Sequence, residues 1–321
     1  MLAPLIRLLS PAGAQARLSI LLFHRVQAEL DPLFPGERPA AAFDSLCADL
    51  KRWFRVLPLE EALSLQREGR LPARAAAITF DDGYRDNHDV ALPILRRHGL
   101  QATFFIATGF LDGGRMWNDT VVEVLRRHPG PTLELGGTPL AAFGTLDLSG
   151  WPVRRQALGR LLEHIKYLDF DARQQAVDAL AAASGLHLPT DLMMDSDQVL
   201  ALHRAGMGIG GHTVQHPILA RLPAAQAEQE IAQGKQRLEA LLGAPVRLFA
   251  YPNGRPGQDY RSEHARMVQA AGFSAAVTTA AGAARADDDP YQIPRFTPWD
   301  AQNWRFGLRL AQNLRRTGAR A

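Results

Sequence analysis

Residues 76–84 read Ala76-Ala77-Ile78-Thr79-Phe80-Asp81-Asp82-Gly83-Tyr84: an apolar run, two adjacent carboxylates, then a glycine. A near-continuous apolar run of this length suits a strand covered on both faces, the condition of a parallel sheet flanked by helices. Gly83 permits the sharp turn that releases the chain from such a strand. Adjacent carboxylates at a strand end diverge, so one can hold a cation while its neighbour takes a proton. An Asp-Asp-Gly turn is also a common surface feature, so the motif decides nothing without a second one.

Working outward, similar runs occur at Ser19 to Phe23, Arg55 to Leu59 and Ala102 to Thr108. Between them Phe43, Leu46, Cys47, Leu50 and Trp53 recur at helical spacing, a helix opens at Pro58 and closes at Gly69, and another spans Asn87 to His98 before Gly99. The alternation resumes with Gly208 to Gly211, a helix from Pro223 to Leu242, a strand over Val246 to Tyr251, a helix near Ser262 to Ala271 and a strand over Ser274 to Thr278. This rhythm predicts an α/β fold with a parallel sheet or barrel. Residues 113–195 break it with helical patterns and a Gly/Pro/Thr-rich segment over 129–139, and read as a mainly helical insertion on the rim beside the βα loops. The expectation is a single domain over 1–321, its core about 18–112 and 196–300, ending in a basic helix over about 300–321.

A formal charge of +3 rests on arginines dispersed along the 321 residues, too diffuse for a nucleic-acid surface. One cysteine, Cys47, excludes an internal disulfide, and its place in an apolar helical pattern predicts burial. No run reaches the roughly 18 apolar residues of a membrane span. The opening segment reads as an uncleaved helix, because Arg7 interrupts its short apolar stretch, and the chain as cytoplasmic. The tail carries Trp304, Leu308, Ala311 and Leu314 near helical spacing with arginines at 305, 309, 315, 316 and 320. It reads as a helix packed on the body with a solvated basic face, contact with an anionic membrane surface being the alternative.

The second chemical motif is Gly211-His212-Thr213-Val214-Gln215-His216. Two histidines four apart converge on one cation when the segment is helical or a tight turn, and this pair also follows a short strand. Both motifs would then open on the same carboxyl face. One aspartate of the pair with His212 and His216 makes a three-ligand set with positions left for water and substrate, unlike a structural zinc site. Ala250-Tyr251-Pro252-Asn253-Gly254 ends a third strand in a turn whose amides can meet an oxyanion. Leu21-Leu22-Phe23-His24 ends a fourth in a histidine, by itself more often a hydrogen-bonded structural residue than a general acid.

These residues together resemble the NodB-type polysaccharide deacetylases, carbohydrate esterase family four. Thr79 to Gly83 is similar to the family's TFDDG motif and His212 to His216 to its H-T/S-x-x-H motif, and the resemblance spans roughly residues 18–300. It implies a distorted (β/α) barrel of seven or eight strands, Asp81 as catalytic base, and Asp82, His212 and His216 as metal ligands. Two departures stand out. The family's R-x-P-Y-G motif is here Ala250 to Gly254, so the arginine is missing and the tyrosine is Asn253, which still offers its backbone N–H. Arg295 is the candidate replacement. The family's late leucine-x-histidine motif is absent, since no histidine follows His264. In a circularly permuted branch that includes the poly-N-acetylglucosamine deacetylases, the acid sits in an N-terminal Y/F-H-x-I/V motif, which Phe23-His24-Arg25-Val26 resembles. The resemblance thus implies His24 as general acid.

The expected function is metal-dependent removal of N-acetyl groups from an N-acetylated saccharide, with release of acetate. Zinc suits the ligand types, and cobalt, nickel or iron also fit. Trp117, Tyr251, Trp299 and Trp304 could stack on sugar faces, although such residues more often fill a core or rim. A catalytically silent carbohydrate-binding barrel and a hydrolase of non-sugar amides are the alternatives. Retention of Asp81 argues against the first.

Overall fold

The computed structural model describes residues 2–298 and 300–321, so Trp299 lies outside the described residues. The chain forms two compact units: the first takes the residues up to Glu29, Gly36–Asp112 and Met193 onward, the second Leu30–Pro35 with Gly113–Leu192. The strands, in chain order, are β1 (Ser19–Phe23), β2 (Arg55–Val56), β3 (Ala75–Phe80), β4 (Ala102–Ile106), β5 (Thr132–Glu134), β6 (Thr145–Asp147), β7 (Gly208–Gly211), β8 (Leu248–Ala250) and β9 (Ala275–Val277).

In the first unit one sheet runs in the order β1-β3-β4-β7-β8-β9, every neighbouring pair parallel, with β2 on the opening residues of β3. Every residue of β3 and β4 is buried, as their apolar runs require when helices cover both faces. Phe80 stacks on Phe104 at 4.9 Å between ring centroids, fixing the two strands face to face. The sheet curls, and the extended segment 293–297 ties its edges together: Ile293 N–H donates to Ala276, Thr278 N–H to Ile293, and Phe296 N–H to Ile20. This is the (β/α) barrel architecture, and its closing segment carries Arg295.

Local chemistry trims several expected elements. The strand expected over Arg55 to Leu59 stops at Val56, because Pro58 has no N–H to offer a ladder and instead caps the helix Leu59–Arg67. β4 ends at Ile106, and Thr108–Phe110 is a 3₁₀ turn. The helix expected over Asn87 to His98 opens as a π-helical turn, Asn87–Ala91, before Leu92–His98, where Pro93 removes a donor from the first α-helical turn. Gly99 ends it at φ +61°. Cys47 is fully buried, and burial pushes its thiol up to about 12.

The second unit packs helices Trp117–Arg127, Trp151–Lys166 and Phe170–Ser184 around Val121, Leu125, Leu161, Ile165 and Leu180. The segment read as an irregular Gly/Pro/Thr-rich stretch contributes half of an antiparallel hairpin, β5 with β6. Two-residue alternation over only three residues per strand gives too weak a signal to read through the surrounding glycines. Glu123 is buried because Arg126 and Arg127 both pair with it.

The tail is helical over Asn303–Asn313. Its buried face is Phe306, Gly307, Leu310 and Ala311, with Leu314 just beyond, while Trp304 and Leu308 are exposed. The apolar stripe expected at 304, 308, 311 and 314 is thus displaced by part of a turn. No helix among the described residues is long and apolar enough to cross a membrane.

Candidate active site

Asp81 and Asp82 follow β3 and His212 follows β7, so both motifs leave parallel strands on one carboxyl edge. The HxxxH segment is a turn, with Thr213 at φ +67° and His216 at φ +52°. Asp82 at φ +80° and Asn253 at φ +59° share this conformation, so four of the six described non-glycine residues with positive φ lie in these motifs. Left-handed backbone costs on the order of 1–3 kcal/mol at such residues and persists only where the surroundings enforce it.

The enforcing contacts are specific. Glu230, on the helix Ala224–Leu242, accepts from the N–H groups of Val214 and Gln215 at 2.9 and 2.8 Å. Thr213 Oγ1 accepts from His216 N–H at 3.1 Å. The Thr213 and Val214 carbonyls accept from Thr108 and Gly109 at 3.1 and 2.8 Å. Gly234 lets that helix approach, since a Cβ there would stand 2.8 Å from the Thr213 carbonyl oxygen.

The structure brings Asp82, His212 and His216 together, with one ligand atom from each lying within 4.8 Å of the others. Nε2 of each histidine is 3.4 Å from Asp82 Oδ1. That oxygen is buried and has no hydrogen-bond partner among the described residues, which is costly unless a cation takes it. His212 Nδ1 bonds the Ala250 carbonyl at 2.7 Å, which puts the proton on Nδ1 and leaves Nε2 its lone pair. The donor set therefore fits a divalent cation.

Electrostatics sort the four groups. For Asp82, burial works upward but is outweighed by His216 and His212, leaving the carboxyl well below its ordinary range. For His216, burial dominates and pushes the imidazole down to about 4. For His212, burial also works downward, but the Asp82 and Asp81 carboxylates outweigh it and the net direction is up. Asp81 is buried, and burial again works upward, but the Arg295 guanidinium overcomes it and holds the carboxyl below its usual range.

Arg295 is itself 1% exposed and forks onto Asp81, Nη1 to Oδ1 at 2.7 Å and Nη2 to Oδ2 at 2.6 Å. Its Nε donates to the Thr278 carbonyl at 3.0 Å and Nη1 also to Thr79 Oγ1 at 3.1 Å. A guanidinium carried on the barrel-closing segment thus reaches Asp81. Asn253 lies three residues beyond the carbonyl that holds His212, and no acceptor among the described residues takes its N–H. His24 follows β1 with its side chain exposed, near enough for its charge to act on Asp81, Asp82 and His216. A cavity of about 550 Å³ beside it is lined by His24, Arg295, Phe296, Thr297 and Arg38 among others.

Sequence reasoning missed Glu230, Thr79 and Asp86. Asp86 pairs with Arg25 at 2.7 Å and accepts from Val26 N–H at 3.2 Å, while Asn87 donates to the His24 carbonyl at 2.8 Å, together fixing the His24 loop. Thr79 stands inside the TFDDG motif and could have been read as a brace; a lone glutamate in an amphipathic helix gives no signal. Of the aromatic candidates, Tyr251 is fully buried and stacked on Tyr260 at 3.9 Å, which removes it as a sugar platform.

A curled parallel β/α sheet with an acid pair and a histidine pair on its carboxyl edge defines a class, the barrel-type hydrolases built around a divalent cation. The sequence profile of the polysaccharide deacetylase family matches residues 68–129 and 163–276, more than half of the chain, and the chain belongs to that family, hydrolases of carbon–nitrogen bonds other than peptide bonds. A Bacillus subtilis relative, YxkH, whose name places it among the polysaccharide deacetylases, is 21% identical over 87% of this chain and 71% of its own length. The same fold is seen in the Streptococcus pyogenes deacetylase PplD, 18% identical, with a TM-score of 0.60 over 94% of this chain and 99% of that one. IcaB from Ammonifex degensii, 19% identical, gives a TM-score of 0.60 over 94% and 98%.

Proposed function

We propose that this chain removes the N-acetyl group from a glucosamine-type unit of an N-acetylated saccharide, with Asp81 as base, His24 as acid, and a divalent cation, zinc by ligand type, on Asp82, His212 and His216. The observation that carries the reading is the orphaned Asp82 Oδ1, 3.4 Å from two imidazole nitrogens and next in sequence to a carboxylate gripped by a guanidinium. When bound, the cation supplies Lewis-acid polarisation of the acetamide carbonyl and acidifies water.

Asp81 stays ionised across working pH and accepts the proton of the attacking water as its oxygen bonds the carbonyl carbon. Arg295 holds that carboxylate in one orientation. The Asn253 N–H donates to the carbonyl oxygen as it gains negative charge. His24, exposed at the strand end, delivers a proton to the sugar nitrogen as the carbon–nitrogen bond breaks, and acetate and the free amine depart. The test is acetate release from N-acetylglucosamine oligomers before and after chelation. The expected result is loss on chelation and recovery with added zinc, cobalt, nickel or iron; release untouched by a chelator overturns the reading.

A further inference from the structure

Four large apolar side chains are exposed in the first unit among the described residues, Leu5 at 39%, Leu8 at 78%, Trp304 at 58% and Leu308 at 37%, and all four lie on its two terminal helices. Leu2–Leu9 packs against Asn303–Asn313, and Gly307 makes the close approach possible, since a Cβ there would stand 2.7 Å from Leu2 Cδ1. At 100° per residue, Leu5 and then Leu8 follow Leu2 around the first helix, while Trp304 and Leu308 follow Gly307 and Ala311 around the second. The two exposed stripes therefore border the same seam. Ile6, Phe306 and Leu310 anchor the pair to the core, so the outer faces are held rigidly in place.

Charge on these helices has one sign. Arg7, Arg305 and Arg309 are exposed and neither helix contains an acidic residue, Arg309 being paired with Asp300 just before the second helix. Arg305 lies 5.2 Å over the Trp304 ring. Apolar and indole groups along a helix seam, edged by the guanidinium groups of Arg7 and Arg305, match the layering of a bilayer surface: acyl chains, interface, anionic headgroups. A second copy of the chain would bring arginines against arginines across the same patch.

We infer that the paired terminal helices dock this enzyme on the surface of an anionic lipid bilayer, lying in the interface without crossing it. The experiment is flotation of the full chain with vesicles of phosphatidylcholine containing phosphatidylglycerol, and with vesicles of phosphatidylcholine alone. The wild type floats with the anionic vesicles, and raised salt weakens the association. Leu8→Asp combined with Trp304→Ser lowers the partition about tenfold or more. Arg7→Gln combined with Arg305→Gln removes the preference for phosphatidylglycerol while leaving the Tm of the free protein in place. Trp304→Phe, which keeps an aromatic ring, retains most of the binding. Failure of the wild type to float overturns the inference. So does equal flotation of the Leu8→Asp, Trp304→Ser protein with an unchanged Tm, or a dimer in sedimentation that this double variant dissolves. Acetate release in solution reports on the active site separately.

Discussion

Arg295 grips both oxygens of Asp81 from 214 residues further along the chain, at 2.7 and 2.6 Å, and both partners are buried. Removing the guanidinium leaves an uncompensated buried carboxylate, a loss of about 3–5 kcal/mol for such pairs. Arg295→Met is therefore expected to lower the Tm substantially. Arg295→Lys keeps a charge but loses the fork, and should reduce kcat about ten- to hundredfold. Since the arginine holds the Asp81 carboxyl down, the acid limb of the pH–rate profile moves to higher pH in the lysine variant. An unmoved limb would show that Arg295 braces the barrel without acting on the base.

Asp82, His212 and His216 supply the described three-donor cluster at the two strand ends. Replacing any one by alanine removes a third of the ligand set, and binding of zinc measured by competition with a chromophoric chelator should weaken at least a hundredfold. Glu230→Gln touches no ligand but weakens two hydrogen bonds to the His212–His216 turn. It should cost about tenfold in zinc affinity, which equal affinity to the wild type would refute.

The pH response of the cation-free protein follows from the two histidines, which act in opposite directions. His216 has a folded value of about 4, below its ordinary 6.5, so its contribution to stability is present above 6.5 and is lost as pH falls through that window. His212 is raised, so its contribution is full below its unfolded value and is lost as pH rises through the folded one. In chelator, the Tm should fall between pH 6.5 and 4, and His216→Gln should flatten that fall. A Tm rising over the same interval contradicts the assignment of a neutral, buried His216.

Gly234 offers a steric test. Alanine there improves helix propensity by about 1 kcal/mol but drives a Cβ to 2.8 Å from the Thr213 carbonyl oxygen, a backbone atom that cannot rotate away. Overpacking of this kind costs about 1–3 kcal/mol, so Gly234→Ala is expected to lower the Tm and the zinc affinity together. A stabilised variant would mean that the turn yields freely.

What the sequence revealed follows the range of the interactions involved. Asp81, Asp82, His212 and His216 could be read because each motif sits at the end of an apolar strand, and strand ends in a parallel sheet share an edge. Arg295 could only be nominated, since nothing local distinguishes it from a surface cation; its meaning comes from the segment that joins β9 to β1. The β5–β6 hairpin was hidden by strands of three residues amid glycines, and the true phase of the tail helix by Gly307, a core position with no side chain to count. Tyr251 looked like a rim aromatic because its stacking partner, Tyr260, is set by tertiary packing.

In the proposed mechanism one carboxylate of the Asp81–Asp82 pair moves protons while its neighbour holds the cation. The direct measurement is acetate release and zinc binding on the same sample of Asp81→Asn protein. Release should fall by three orders of magnitude or more, as expected for loss of a general base, while zinc remains bound at one equivalent with near wild-type affinity. Near wild-type release from a protein that still holds its zinc would contradict the account.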